Sequence, residues 1–208
     1  MIEDSRIHLN DIVKESISPM LKGYGFRKNG LTWNRNRSEM TDVLNLQISK
    51  GSNEQSVEFT INCGLFCPPV WEIVWATPVP KRVKEDHCFP RGRINSFLSS
   101  CDKMPLDLWW TVKSASCGRD ISQEVRKTIE GVYLPKTELL NTIDNIWSFV
   151  EPMKFRFPID TLYKASIAGL LEGEHSARKH SLAIEGNPHW AQRVDLLMQN
   201  LHQASTTK

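Results

Sequence analysis

Two stretches of strict alternation constrain what this chain can become. In residues 42–50, Leu44, Leu46 and Ile48 alternate with Asn45, Gln47 and Ser49. In residues 56–66, Val57, Phe59, Ile61, Cys63 and Leu65 alternate with Glu58, Thr60, Asn62 and Gly64. Successive side chains on a strand point to opposite faces, so a period of two means a sheet with one buried face. The connectors RNRSEM and GSNEQ are short and polar. They suit antiparallel hairpins and leave no room for the crossover helix of a parallel pair. The middle of the chain therefore reads as an antiparallel meander, which excludes a Rossmann-type sheet.

Flanking segments complete the plan. Residues 8–22 predict a helix from the spacing of Leu9, Ile12, Val13, Ile17, Met20 and Leu21. Pro19 argues against a clean helix interior, and Gly23 and Gly25 stop it. Residues 26–35, with Phe26, Leu31 and Trp33, predict a strand. Residues 67–82 hold four of the eleven prolines and two tryptophans, Trp71 and Trp75, which predicts a structured loop with a short helix near 70–75. The tryptophans read as cover for the core. Residues 86–98 and 107–113 predict two more strands joined by a polar loop, with Pro90 demoting the first to an edge or a bulge.

After residue 118 the spacing becomes helical in five segments, beginning near 121, 136, 158, 176 and 187. Asp120 reads as the cap of the first, Thr137 lies near the start of the second, and Asn187 with Pro188 opens the last. The fold class is α+β, an antiparallel sheet of about five strands with an N-terminal helix and a helical C-terminal half. The expected organisation is residues 1–118 as helix plus sheet, 119–204 as helices packed on the same single domain, and 205–208 as a frayed tail.

Composition enters through what it discourages. Lys and Arg number 26 against 24 Asp and Glu, a net charge of +2, which weakens a wholesale nucleic-acid binder and an acidic nucleic-acid mimic alike. The N-terminal residues MIEDSRIHLND lack the apolar run of a signal peptide, and no stretch reaches the ~18 apolar residues of a membrane span. Five cysteines without framework spacing fit reduced thiols and a cytoplasmic location.

A resemblance now becomes visible. The run from Gly25 through Arg35 (GFRKNGLTWNR), then Val43 to Lys50 (VLNLQISK), Phe59 to Gly64 (FTINCG), Arg91-Gly92-Arg93-Ile94 and Asp107-Leu108-Trp109-Trp110 resemble the bacterial family known as domain of unknown function 4304. The resemblance covers roughly residues 8–150. It implies a small α+β domain, and it implies no activity, because that family brings no established catalytic residues.

Candidate sites must come from the residues themselves. Thr32, Asn34, Asn45, Gln47, Ser49, Thr60 and Asn62 fall on the polar parity of the strands, so several amides and hydroxyls share one sheet face. That face is either solvated or a recognition groove. His87, Cys88, Arg91 and Arg93 form the densest reactive set. The two arginines suit a carboxylate or phosphate. His87 has only Asp86 beside it, a poor dyad because strand neighbours point apart. The ligand-binding candidates are therefore Asn45, Gln47, Asn62, His87, Arg91 and Arg93, with no catalytic residue assigned.

A second candidate is the basic patch of Arg27, Lys28, Arg35, Arg37 and Lys50, a surface for phosphates with Trp33 available for stacking. Charge that protects a sheet edge is its plainer explanation. Metal binding has no support, since Cys63 and Cys67 would lie about 13 Å apart on an extended chain. No Walker loop, GxGxxG or GxSxG motif occurs, and no cofactor is expected.

The reading that follows is a non-catalytic binding or accessory protein, with a protein partner or a small polar ligand favoured and a bacterial defence or toxin-immunity setting. Its alternatives are a small-ligand sensor or enzyme on the polar sheet face, and a nucleic-acid binder through the basic hairpin. No membrane role is expected.

Overall fold

The structure is a computed structural model and describes residues 4–97, 107–113 and 118–206. The chain opens with α1 (Ser5–Asp11), whose N-cap Asp4 accepts a hydrogen bond from the Arg6 amide at 2.9 Å. A π-wound stretch, Ile12–Ile17, continues it into α2 (Ser18–Gly23). The helix begins three residues before the expected start at residue 8, because Asp4 supplies the cap. Pro19 falls in the first turn of α2. The wider π turn ahead of it spares the proline ring its clash with an α-helical carbonyl.

The segment 26–35 is not one strand. It divides into β1 (Arg27–Asn29) and β2 (Thr32–Asn36), which pair antiparallel. Gly30 turns the chain between them at φ +63°, a left-handed value that favours glycine. Next come β3 (Thr41–Ile48), β4 (Val57–Phe66), β5 (Arg91–Arg93) and β6 (Trp110–Val112). The sheet order is β1-β2-β3-β4-β5, with β6 also pairing to β4. The fold is thus α+β, with the meander in its expected antiparallel sense.

β5 is far shorter than the expected strand over 86–98. A 3₁₀ turn occupies Glu85–His87, and the Phe89–Pro90 peptide is cis, so regular pairing starts only at Arg91. Part of the expected loop between the last two strands lies outside the described residues.

Two compact units divide the chain. One comprises Met1–Leu65 with Val83–Leu139 and carries the sheet. It also holds α4 (Gly118–Thr128), a second π-wound stretch at Ile129–Tyr133, and α5 (Leu134–Leu139). Its core lies on one sheet face, where Trp33, Leu44, Leu46, Phe59, Ile61, Cys63, Leu65, Trp110 and Val112 are all buried. Phe59 and Trp110 stack at 5.4 Å between ring centres. The facing apolar helix residues, among them Leu9, Val13, Ile17, Ile121, Val125 and Tyr133, are buried too. Burial of this apolar area is the main favourable term in folding.

The other unit comprises Phe66–Arg82 with Leu140–Lys208. It contains α3 (Pro68–Trp75), α6 (Ile143–Val150), α7 (Pro158–Glu172), α8 (Glu174–Ser181) and α9 (Pro188–Thr206). The helix expected in residues 67–82 is α3. Trp75 donates its indole N–H to the Tyr163 hydroxyl at 2.9 Å, and Arg193 lies 4.6 Å over the Trp75 ring. The side chain of Lys164 is buried, and its ammonium donates to the carbonyls of Glu151 and Met153 just past α6.

Four helix expectations need correction. The segment 136–151 is not one helix, because the chain breaks after α5 and Thr142 caps α6 by accepting from the Asn145 amide at 3.2 Å. Thr137 does not begin a helix; it is buried inside α5. Asp120 lies in the first turn of α4 rather than at its cap, and α9 continues to Thr206, into the expected tail. The Asn187 cap is present, with its side chain accepting from the His189 amide at 3.0 Å.

Candidate functional site: an amide and arginine cluster on the sheet face

Register explains which polar residues meet. Thr32 stands opposite Asn45, and Asn62 opposite Arg93. Gly64 stands opposite Arg91, so both arginines of β5 share the face that carries Asn62. Three strands thereby collect Asn45, Gln47, Asn62 and Arg93 at one place.

The contacts are direct. Asn62 donates to Gln47 Oε1 at 2.9 Å and more weakly to Asn45 Oδ1 at 3.5 Å. Arg93 Nη1 donates to Gln47 Oε1 at 2.8 Å and also to Asn62 Oδ1. Asn45 donates to Thr32 Oγ1 at 3.0 Å. Arg93 Nε lies 3.4 Å from Asp107 Oδ2, and the guanidinium sits 5.2 Å over the Trp109 ring. Four of the six ligand candidates, the amides of Asn45, Gln47 and Asn62 and the guanidinium of Arg93, form a single network.

The network sets what the surface offers. Gln47 is exposed and its oxygen already accepts two hydrogen bonds, so its amide nitrogen is left to donate outward. Thr60 lies on the same strand parity, fully buried, and its hydroxyl has no partner among the described residues. A buried hydroxyl without a partner is a feature that asks for an explanation.

His87 and Arg91 belong to the adjoining loop. His87 Nδ1 accepts from the Lys84 amide at 3.3 Å, and Nε2 lies 3.7 Å from Asp86 Oδ1. Burial lowers the His87 pKa, with Lys84 acting in the same direction and Asp86 opposing. Arg91 donates to the Asp86 carbonyl at 3.1 Å. Glu85 is half-buried; burial raises its pKa, while the charges of Arg91 and Arg93 pull it down. Two arginines thus share the neighbourhood with two carboxylates, Glu85 and Asp107.

Glu85, Asp107 and Trp109 were missing from the candidates read in the sequence. Phe59 pairs with Trp110 on the buried parity, which puts Trp109 on the polar side of the sheet, a register that is not legible in the sequence.

The basic patch has a different arrangement. Arg35 Nε lies 2.7 Å from Asp42 Oδ2, and Arg37 Nη2 lies 2.7 Å from Asp42 Oδ1. Arg35 also reaches Glu138 at 2.8 Å, and Arg37 donates to the Thr137 carbonyl at 2.7 Å. Both arginines therefore join the sheet to α5. Arg27 and Lys28 are exposed on β1, with Lys28 5.7 Å over the Trp33 ring. Lys50 is exposed beyond the far end of β3, about 30 Å along the strand from Thr41. The five residues do not form one surface.

Among the described residues no helix is long and apolar enough to cross a membrane. No curated protein and no solved structure matches the chain. One family model does match, that of a domain of unknown function (DUF4304), over residues 17–139. That span contains every strand of the sheet and the whole amide and arginine cluster, and the chain belongs to the DUF4304 family.

Proposed function

We propose that this chain is a non-catalytic binding protein that engages a protein partner through the sheet face around Asn62 and Arg93. The observation that carries the reading is the Gln47–Asn62–Arg93 network beside Trp109. Trp and Arg are enriched among the residues that dominate interface energies. Here the arginine is held by the amides and the ring, so less conformational freedom is lost on docking.

The charge balance favours a protein over a polyanion. Asp107 pairs with Arg93, and Glu85 lies within the field of both arginines. Arg35 and Arg37 are engaged with Asp42, which leaves little clustered positive charge for phosphates. His87 serves the loop turn through the Lys84 amide, which fits a supporting role. An accessory or immunity-like role in a bacterial conflict system suits such a domain, and a protein encoded beside its gene is the first partner to try.

The test is co-purification of the tagged chain with that neighbouring product, repeated with Arg93→Ala and Trp109→Ala at unchanged melting temperature. Loss of the partner in both variants supports the reading. A partner retained equally by both places the interface elsewhere and ends it. A thermal-shift screen with small carboxylates, phosphates and short oligonucleotides gives the opposing outcome. A hit abolished by Gln47→Ala and Arg91→Ala would replace the partner reading with a small-ligand sensor.

A further inference from the structure

A cleft of about 480 Å³ opens between the start of the first π-wound stretch and α4, well within the range of roughly 300–1,000 Å³ typical of small-molecule sites. It lies inside the sheet-bearing unit and shares no residue with the amide and arginine cluster. Ile12 is its apolar side chain, and His8, Ser16, Ser122 and Gln123 line it beside the charged groups. Gly118 is placed so that a side-chain carbon there would lie 3.5 Å from Ile12 Cγ1, so the absence of a side chain leaves the cleft open there.

The walls carry opposite charge. Asp11 and Glu15 come from the first helical wall, Arg119 and Arg126 from α4. Arg119, Ser122 and Arg126 follow the i, i+3, i+7 spacing of one helix face. Asp11 and Glu15 are like charges four residues apart, an arrangement that is unfavourable by itself. Among the described residues, no Lys, Arg or His nitrogen lies within 4.0 Å of either carboxylate, and Arg119 has no acidic partner. Arg126 meets only Glu130, at 3.5 Å on the exposed side of its own helix, a pairing of small worth that can be exchanged.

Opposite charges face each other across the opening without closing on one another. Glu15 stands on the π-wound stretch, a geometry that recurs at functional sites, while Asp11 ends α1. From the opposite charges of the two walls on either side of Ile12, we propose that this cleft binds a short zwitterion of dipeptide size. Its ammonium group meets Asp11 and Glu15, its carboxylate meets Arg119 and Arg126, and its apolar body lies over Ile12 and Gly118. A single α-amino acid carries both charges on one carbon. A dipeptide carries them on two different α-carbons, one peptide unit apart.

Glycyl-leucine is the probe, titrated into the full chain by calorimetry and by amide NMR. The expected result is saturable binding with shifts at Ile12, Glu15 and Arg119, weakened about tenfold or more by Glu15→Gln and by Arg119→Gln. Both residues are exposed, so the variants keep the fold. N-acetyl-glycyl-leucine and glycyl-leucinamide, each lacking one charge, should bind at least about tenfold more weakly. No saturation up to about 10 mM glycyl-leucine overturns the proposal. Equal affinity for either capped probe, or unchanged affinity in both variants, overturns it as well. None of these results bears on the partner surface, whose test uses Arg93 and Trp109.

Discussion

Asp42 and Arg35 face each other across the β2–β3 pair, Nε to Oδ2 at 2.7 Å, with the Asp42 side chain wholly buried. Burial pushes the Asp42 carboxyl above its ordinary value, against the downward pull of Arg37 and then Arg35. Removing one member of such a group leaves buried charge without compensation. Asp42→Asn should therefore cost about 3–5 kcal/mol, read by urea unfolding. Replacing all three residues with apolar ones of similar volume should cost far less, since well-packed apolar substitutes often match a buried ion cluster. A cost below about 1 kcal/mol for Asp42→Asn would mean that the cluster does not hold α5 to the sheet.

Of the described glycines in the sheet-bearing unit, Gly64 leaves the least room for a side chain. A side-chain carbon built there would overlap Cys88 Cβ and press on the Pro90 carbonyl at 3.2 Å. Neither obstacle is the end of a flexible side chain, so Gly64→Ala should destabilise by about 1–3 kcal/mol. Chemical denaturation measures this directly. A neutral result would mean that the 88–90 segment can move off the strand.

His180 packs edge-on against Trp147 at 5.1 Å. Burial, with Lys164 and Lys179, lowers its pKa from the usual 6.5, while Glu172 and Glu151 pull upward. The folded state therefore takes up this proton at lower pH than the unfolded state. The contribution to stability is complete above pH 6.5 and is lost as pH falls through the lowered value. An NMR titration should place the His180 midpoint below 6.5, and Lys164→Met should raise it. A midpoint at or above 6.5 would contradict the packing.

Asn187 closes the first turn of α9 with its side-chain oxygen 3.0 Å from the His189 amide. Asn187→Ala should cost about 1 kcal/mol, and Asn187→Gly only a few tenths. Thermal unfolding of the two variants side by side checks the ranking. If alanine is as good as glycine, the cap contributes nothing.

The parity of residues 42–50 and 56–66 made the central strands and their polar face readable. It also places Asn45, Gln47 and Asn62 on one face from sequence alone. What it did not give was the neighbour of β4. Arg93 reaches Asn62 only after a long excursion from the sheet, and local periodicity carries no information on such a pairing.

The same limit hid Asp42. It shares the parity of Leu44 and Leu46, so an acid on the buried side was itself the clue to a paired arginine. The hairpin at Gly30 was lost because Phe26 and Trp33 both read as apolar strand residues. The break between α5 and α6 was lost because Thr142 ends one amphipathic pattern and starts another in phase. The cleft at Ile12 and Gly118 joins helices more than a hundred residues apart, and π winding shifts the faces that a 3.6-residue reading assigns.

The division into two units has a consequence for how this chain emerges during synthesis. The chain passes from one unit to the other after Leu65, after Arg82 and after Leu139. The family match also ends at residue 139, where the sheet-bearing unit ends. Segment 66–82 lies inside the family span, yet its packing partners come from residues 140–208. On the ribosome, α3 is complete at Trp75 and must wait for its packing partner α7, which begins eighty-three residues later at Pro158. In a relative whose chain stopped at the end of the family span, Ile73 and Val74 would need a different cover or would have to become polar.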